Sequence, residues 1–111
     1  MIFHMCQKAD WEAAQRAGRY DGTALDRKDG FIHLSTAAQV RETAARHLRG
    51  VEGLVLIGID PDALGDALRW EKSRRDMEFP HLYGPLPFES VRSTWDIPVG
   101  SDGFHVFPAL L

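Results

Sequence analysis

The chain of 111 residues has little of three things: cysteine, long apolar runs and excess charge of one sign. Its single cysteine, Cys6, excludes an internal disulfide and any zinc site built from several cysteines. No apolar run approaches the roughly 20 residues of a membrane helix, and the N-terminus lacks the charged segment and apolar run of a signal peptide. We therefore expect a cytoplasmic protein that does not enter a membrane.

The net charge of −3 supplies no basic field for a nucleic acid or an anionic membrane surface. Clusters of arginine and lysine do occur, but they lie among acidic residues and are interpreted as solvated faces. We expect no binding to double-stranded nucleic acid. A length of 111 residues with 44% hydrophobic residues suits one domain, residues 1–111, with a core of its own.

Capping signals predict two helices in the N-terminal half. Asp10 caps the first, which covers residues 11–17 and ends at a glycine. Thr36 and Gln39 have the spacing of a capping box at the start of the second. Residues 19–29, between the helices, are polar and predict a long surface loop.

Alternation and apolar runs predict the strands. Gly53–Asp60 is nearly continuously apolar, which is typical of a central strand covered on both faces. Residues 79–87 contain too many prolines for a central strand, so we expect a structured loop or a short edge strand. The other predicted strands cover residues 1–6, 30–36, 67–72, 89–95 and 104–107. Two helices and about six short strands predict an α+β domain with a mixed, mainly antiparallel sheet.

The strand at residues 30–36 carries the first candidate site. Alternation places Phe31, His33 and Ser35 on one face of this strand. A histidine and a hydroxyl beside a helix start can orient a ligand hydroxyl, transfer a proton near neutral pH or bind phosphate. The alternative is that His33 is half-buried and bonded to the backbone, and that the hydroxyl only caps the helix.

Four more residues are candidates for the same site. His4 lies on an apolar strand face, where a buried structural role is equally compatible with the pattern. Glu71 follows a tryptophan in an apolar strand, where its pKa can be raised for use as a base; the alternative is a salt bridge with a neighbouring arginine. His81 and Tyr83 point the same way in a stretch that prolines stiffen, and the alternative for Tyr83 is core packing.

Metal binding is a further alternative. His4, His33, His81 and Glu71 together carry three nitrogen donors and one oxygen donor. No two of them have the spacing of a zinc motif, so the fold would have to gather them. We therefore assign no metal ligands.

Three motifs resemble one family: GFIHLST at residues 30–36, WE at residues 70–71 and FPHLYGPL at residues 79–86. By these motifs the chain resembles, over nearly its whole length, the small bacterial and plant proteins called domain of unknown function 952. That family is similar in fold to the ADP-ribosyltransferases, including the RNA 2′-phosphotransferases. The resemblance implies an ADP-ribosyltransferase-like fold with NAD as the candidate cofactor. His4 would match that fold's first-strand histidine, and residues 33–35 its later His-Leu-Ser-type strand.

We therefore expect the first two strands and residues 79–84 to form a cleft. The expected ligand of this cleft is a small molecule, with a nucleotide such as NAD among the candidates. A transferase acting on NAD is the corresponding enzyme. Ser35 and the helix start would contact phosphate or ribose, Tyr83 would stack on a ring and Glu71 would polarise a hydroxyl. A non-catalytic module for a small ligand or a protein is the alternative. The predicted catalytic residues are His33, Glu71 and His81, and the predicted cofactor-binding residues are His4, Ser35 and Tyr83.

Overall fold

The computed structural model describes residues 1–109, which form three α-helices, seven strands and several short 3₁₀ turns. The helices are α1 (Lys8–Ala17), α2 (Ala24–Asp29) and α3 (Ala37–His47). The strands are β1 (Ile2–Gln7), β2 (Ile32–His33), β3 (Ser35–Thr36), β4 (Leu54–Ile59), β5 (Leu68–Lys72), β6 (Glu78–Leu82) and β7 (Val91–Asp96). All the strand pairs between them are antiparallel, which confirms the predicted α+β class.

A four-stranded sheet in the order β3-β1-β4-β7 has β4 near its centre, as predicted. Every residue of β4 is buried because both faces of the sheet are covered. Val55 and Ile57 belong to one apolar cluster together with Trp11 of α1. Leu56 points the other way, into a second cluster that contains Val40 of α3. The period-2 alternation of a strand thus assigns neighbouring β4 residues to two cores.

A separate three-stranded sheet has the order β2-β6-β5. Its central strand is β6, so the prediction that residues 79–87 exclude a central strand was wrong. Pro80 pairs with Trp70 of β5, and its carbonyl accepts the backbone N–H of Leu34 at 3.1 Å. Proline has no backbone N–H, and the position of the missing N–H is opposite Leu34. Because Leu34 lies beyond the end of β2, the missing hydrogen bond is not one of those that pair β2 with β6.

The predicted strand at residues 30–36 is two strands in two sheets. Ile32 pairs with Leu82 in the three-stranded sheet, whereas Ser35 pairs with Phe3 in the four-stranded sheet. Leu34, 2% exposed, lies between them. The chain therefore crosses from one sheet to the other at this residue, and the side chains of His33 and Ser35 belong to different sheets.

Three other boundaries differ from the prediction. The first helix begins at Lys8 rather than Trp11, although Gly18 ends it as expected. The predicted surface loop contains α2, whose capping box joins Thr23 and Asp26. The predicted strand at residues 104–107 is reduced to one bridge, between Val99 and His105. Within residues 1–109 no helix has the length and apolar character needed to cross a membrane.

Candidate functional site

A cleft of about 570 Å³ is lined by residues of both sheets, of α2 and α3, and of the turn between β5 and β6. Phe3, Leu25, Leu34 and Phe79 contribute to its largely apolar wall. Polar side chains are concentrated in two groups, one around His33 and one around Arg74. A volume of this size is within the range of small-molecule and cofactor sites.

The first polar group is the carboxylate cluster, defined as Asp26, Asp29 and His33. Nδ1 of His33 hydrogen-bonds Oδ1 of Asp26, and the backbone N–H of His33 donates to the same oxygen at 3.0 Å. Nε2 of His33 lies 3.0 Å from Oδ2 of Asp29. The Asp26 side chain is 3% exposed, but those of His33 and Asp29 are 37% and 38% exposed. Both ring nitrogens of His33 therefore meet carboxylates, one buried and one accessible.

The start of α2 positions Asp26. Its Oδ2 accepts the backbone N–H of Thr23 at 2.8 Å, and the Thr23 hydroxyl accepts the N–H of Asp26 at 3.2 Å. Gly22 precedes this cap with φ +95°, and a Cβ there would lie 2.7 Å from Cβ of Asp26. The glycine therefore supplies both the backbone conformation and the space that Asp26 needs.

The proton affinities of Asp26 and His33 are coupled. The hydrogen bond to Asp26 raises the pKa of His33 above its usual 6.5, although burial acts in the opposite direction, and Asp29 adds to the rise. Burial would raise the pKa of Asp26, but the hydrogen bonds from His33 and Thr23 and the nearby His4 hold it below its usual value. Each partner therefore favours the charged form of the other, a buried carboxylate on Asp26 and a protonated ring on His33.

His4 lies behind this cluster and is 3% exposed. Nδ1 donates to the backbone carbonyl of His33 at 2.8 Å, which leaves Nε2 to accept the hydroxyl of Tyr20 at 2.7 Å. Burial lowers the pKa of His4, so the ring is neutral at pH 7. Both nitrogens are occupied, and His4 fixes the position of β2 from within the core.

The second polar group is the arginine cluster, defined as Arg74, Thr43, His47 and Ser35. The Arg74 guanidinium donates to Oγ1 of Thr43 at 3.3 Å and lies 3.2 Å from Nε2 of His47. The Ser35 hydroxyl donates to Oγ1 of Thr43 at 3.4 Å. Arg74 also lies over the ring of Phe79, 5.0 Å from its centre. This end of the cleft therefore combines one fixed positive charge with hydroxyl groups.

Glu71, His81 and Tyr83 form a third group, the outer cluster. Oε1 of Glu71 accepts Nδ1 of His81 at 2.9 Å and the hydroxyl of Tyr83 at 2.7 Å. The hydrogen bond from Tyr83, followed by that from His81, lowers the pKa of Glu71. The same bond raises the pKa of Tyr83, and Arg69 stacks on the Tyr83 ring at 4.9 Å. Glu71 is therefore an ionised carboxylate that orients two rings.

Of the six predicted site residues, four line the cleft and two lie behind His81. His4, His33, Ser35 and His81 line the cleft. Glu71 and Tyr83 reach it only through His81, whose ring stacks on Phe31 with centres 4.0 Å apart. The side chain of Cys6 is buried, which raises the pKa of its thiol to about 11 and keeps it in the protonated form.

Sequence reasoning missed six residues of the site: Tyr20, Asp26, Asp29, Thr43, His47 and Arg74. The Thr23–Asp26 spacing, which resembles a capping box, was the available signal for Asp26. Nothing in the sequence links Arg74 or Tyr20 to the cleft, because both reach it through tertiary contacts. Within residues 1–109 no three histidine, cysteine or acidic side chains are arranged to hold a metal ion. Both nitrogens of His4 are already occupied, which removes one donor of the metal alternative.

Comparisons with known proteins identify one family and the solved structures of one similar protein. The family model "Protein of unknown function (DUF952)" matches residues 5–94. The crystal structure of protein CC0527 from Caulobacter crescentus is 43% identical, with a TM-score of 0.91 over 95% of this chain and 92% of that chain. The solution NMR structure of CC0527 is 44% identical, with a TM-score of 0.83 over 93% of this chain and 89% of that chain. No match was found among the curated proteins.

Proposed function

The chain belongs to the DUF952 family of proteins of unknown function, and from the geometry of its cleft we propose that it binds a nucleotide. The observation that carries the proposal is the separation of charge within one cleft. The arginine cluster presents a guanidinium and hydroxyls, whereas the carboxylate cluster presents a partly exposed carboxylate and the imidazole of His33. A nucleotide has the matching parts, a phosphate and a hydroxyl-bearing ribose joined to a flat ring.

The arginine cluster suits the phosphate. A guanidinium offers several N–H donors and recognises phosphate with charge-assisted hydrogen bonds. Ser35 and Thr43 add hydroxyl groups at the same end. The Thr43 hydroxyl donates to the Gln39 carbonyl at 3.1 Å, and the Ser35 hydroxyl donates to Thr43 at 3.4 Å, a long contact that a phosphate oxygen can replace. Of the lining residues, the acidic ones are Asp26 and Asp29, which belong to the other cluster.

The carboxylate cluster suits the ribose. Asp29 is partly exposed and can accept a ribose hydroxyl, while Nε2–H of His33 can donate to a second oxygen. The apolar part of the cleft wall includes Leu25, which is 56% exposed and can contact the face of a base or a nicotinamide ring. NAD remains the candidate that the ADP-ribosyltransferase resemblance implies, and in that assignment Glu71 and Tyr83 act through His81.

The test is a titration with ADP-ribose, NAD and ribose 5-phosphate, followed by backbone NMR shifts and by the melting temperature. We expect shifts at Ser35, Thr43 and Arg74, and a rise in melting temperature with ADP-ribose. Replacing Arg74 by Ala should weaken ADP-ribose binding about tenfold or more, because one charge-assisted contact contributes about 1.5–3 kcal/mol. Arg16→Ala, an exposed change at the end of α1, is the matched control.

Two results decide the proposal. A protein whose spectrum and melting temperature ignore millimolar concentrations of all three compounds does not bind a nucleotide in this cleft. Equal weakening by Arg74→Ala and Arg16→Ala would place the phosphate elsewhere. Binding without any turnover, with His33→Ala retaining part of the affinity, would favour the alternative of a non-catalytic binding module.

A further inference from the structure

Two histidines face each other at the cleft on neighbouring strands. His33 of β2 is the direct antiparallel partner of His81 of β6, and the ring centres lie 5.9 Å apart. Each Nδ1 hydrogen-bonds a carboxylate, Asp26 for His33 and Glu71 for His81. A carboxylate only accepts, so Nδ1 carries a proton in both rings. The two rings therefore present Nε2 as their reactive atom.

The two Nε2 atoms differ in what surrounds them. Nε2 of His33 faces the carboxylate of Asp29, so it carries a proton and can donate it. Nε2 of His81 has no hydrogen-bond partner among residues 1–109. This atom is not fully buried, so a ligand or a water molecule can contact it. In the neutral ring with the proton on Nδ1, Nε2 carries the lone pair that can accept a proton. One ring is thus arranged as an acid and the other as a base.

We propose that this pair hydrolyses the N-glycosidic bond of a purine nucleoside 5′-phosphate bound in the cleft. The proposal rests on the nucleotide site proposed above and names its substrate class and reaction. The arginine cluster would hold the 5′-phosphate, which directs the ribose and the base towards His33 and Asp29.

The carboxylates decide which bond is broken. Asp26 and Asp29 beside His33 repel a phosphate at that position but stabilise positive charge, such as the charge that develops on a ribose during glycosidic cleavage. Nicotinamide leaves NAD as a neutral molecule without a proton, so an acid beside it adds little. A purine leaves as an anion unless it is protonated, and this requirement matches an imidazolium at the leaving group.

The reaction consumes one water molecule and restores both histidines. The bond between C1′ and the base nitrogen breaks, its electron pair goes to the purine, and the proton on Nε2 of His33 neutralises the leaving base. Water forms the new bond to C1′ and gives a proton to Nε2 of His81. The products are a free purine and ribose 5-phosphate. Solvent then returns a proton to His33 and removes one from His81.

The assay follows release of free base from AMP and IMP by chromatography, with 4-nitrophenyl ribofuranoside 5-phosphate as a second substrate. Nitrophenolate needs no proton to leave. His33→Gln should therefore lower kcat on AMP about 10²–10⁴-fold but lower it much less on the nitrophenyl substrate. His81→Gln should lower kcat on both substrates, because both need an activated water. Arg16→Ala is the control expected to match the unmodified protein.

The outcomes separate this proposal from the nucleotide site itself. If AMP binds by NMR titration and no base is released, the hydrolysis is wrong and the nucleotide site stands. If ADP-ribose binds and AMP does not, the hydrolysis is wrong and the nucleotide site stands; if neither AMP nor any of the three compounds named above binds, both proposals fail. Equal losses of His33→Gln on the two substrates would overturn the acid role. If His33→Gln does not fold, Asp29→Asn is the substitute; it should slow both substrates, and an unchanged rate would contradict the proposal.

Discussion

Asp26 accepts hydrogen bonds from the backbone of Thr23, from the backbone of His33 and from the His33 ring. One buried carboxylate therefore caps the N-terminus of α2, bonds that end of the helix to β2 and raises the pKa of the histidine in the cleft. The arrangement is stable because the charge of Asp26 is compensated by donors on every side. His33 remains partly open to solvent, and this combination suits a group that exchanges protons with a ligand.

Asp26→Asn should lower the pKa of His33. Asp26, Asp29, His4 and His81 are the titratable groups that face its ring, and Asp26 makes the strongest contact. The pKa of His33 is raised in the folded state, so its contribution to stability is complete below about pH 6.5 and is lost as the pH rises through the folded pKa. An NMR titration of the ring protons should show a midpoint above 6.5, and a lower one in Asp26→Asn.

Asp21→Asn is the control for that titration, because Asp21 pairs with Arg19 on the exposed surface. It should leave the midpoint of His33 unchanged. A midpoint at or below 6.5 in the unmodified protein would contradict the coupling between His33 and Asp26. Unfolding by urea adds a second measurement, since the unpaired donors left by Asp26→Asn should cost about 2–3 kcal/mol.

At the residue scale, the sequence identified His33 as a candidate for the cleft but did not identify the residues that contact it. Alternation grouped His33 with Ser35 on one strand face, but the chain crosses between the sheets at Leu34, so the two side chains reach the cleft from different sheets. Asp26, the partner of His33, is seven residues upstream, at the start of a helix that the sequence did not predict. Pairing of this kind depends on tertiary structure and has no period that a single sequence displays.

At the element scale, short segments account for most of the differences between expectation and structure. α2 has six residues, and β2 and β3 have two each. Segments of this length carry too few residues to show a helical or strand period, and packing decides their conformation. The long elements β4 and α3, whose apolar patterns extend over several turns or pairs, lie where the sequence predicted them.

Alanine substitutions at two glycines with positive φ, Gly18 and Gly22, test whether α2 depends on close packing at Gly22. Gly18→Ala introduces a left-handed alanine with φ +82° and no atom within 4 Å of the new Cβ, so it should cost about 1–2 kcal/mol. Gly22→Ala has a similar backbone penalty, and its Cβ also overlaps Asp26 and approaches Ile32. It should cost at least about 1 kcal/mol more, since overpacking is destabilising.

Urea unfolding of both variants measures the difference. Gly22→Ala should also shift the ring signals of His33, because displacement of Asp26 moves its hydrogen-bond partner. Gly18→Ala lies outside the cleft and should leave those signals in place. Equal losses of stability in the two variants would show that the backbone conformation, and not the contact with Asp26, is what requires glycine at position 22.

At the scale of the whole molecule, the two sheets share one apolar core. Ile32 and Leu82 of the three-stranded sheet belong to the same buried cluster as Val55 and Ile57 of the four-stranded sheet, and Trp11 of α1 completes it. The cleft lies where these sheets meet, and its two polar clusters are positioned by elements from both. The relative placement of the clusters therefore depends on the shared core, and we expect the sheets to unfold as one unit.

Leu82→Ala tests this coupling. Leu82 is 1% exposed in β6, so its truncation leaves a cavity and should lower the free energy of unfolding by about 2–5 kcal/mol. Tryptophan fluorescence and far-ultraviolet circular dichroism should shift together, because the core that Leu82 fills is common to both sheets. Leu25→Ala, at a side chain that is 56% exposed, is the control and should change stability by less than about 0.5 kcal/mol. Two separate transitions in Leu82→Ala would instead show that the three-stranded sheet unfolds independently, and with it His33, His81 and the β5–β6 turn that carries Arg74.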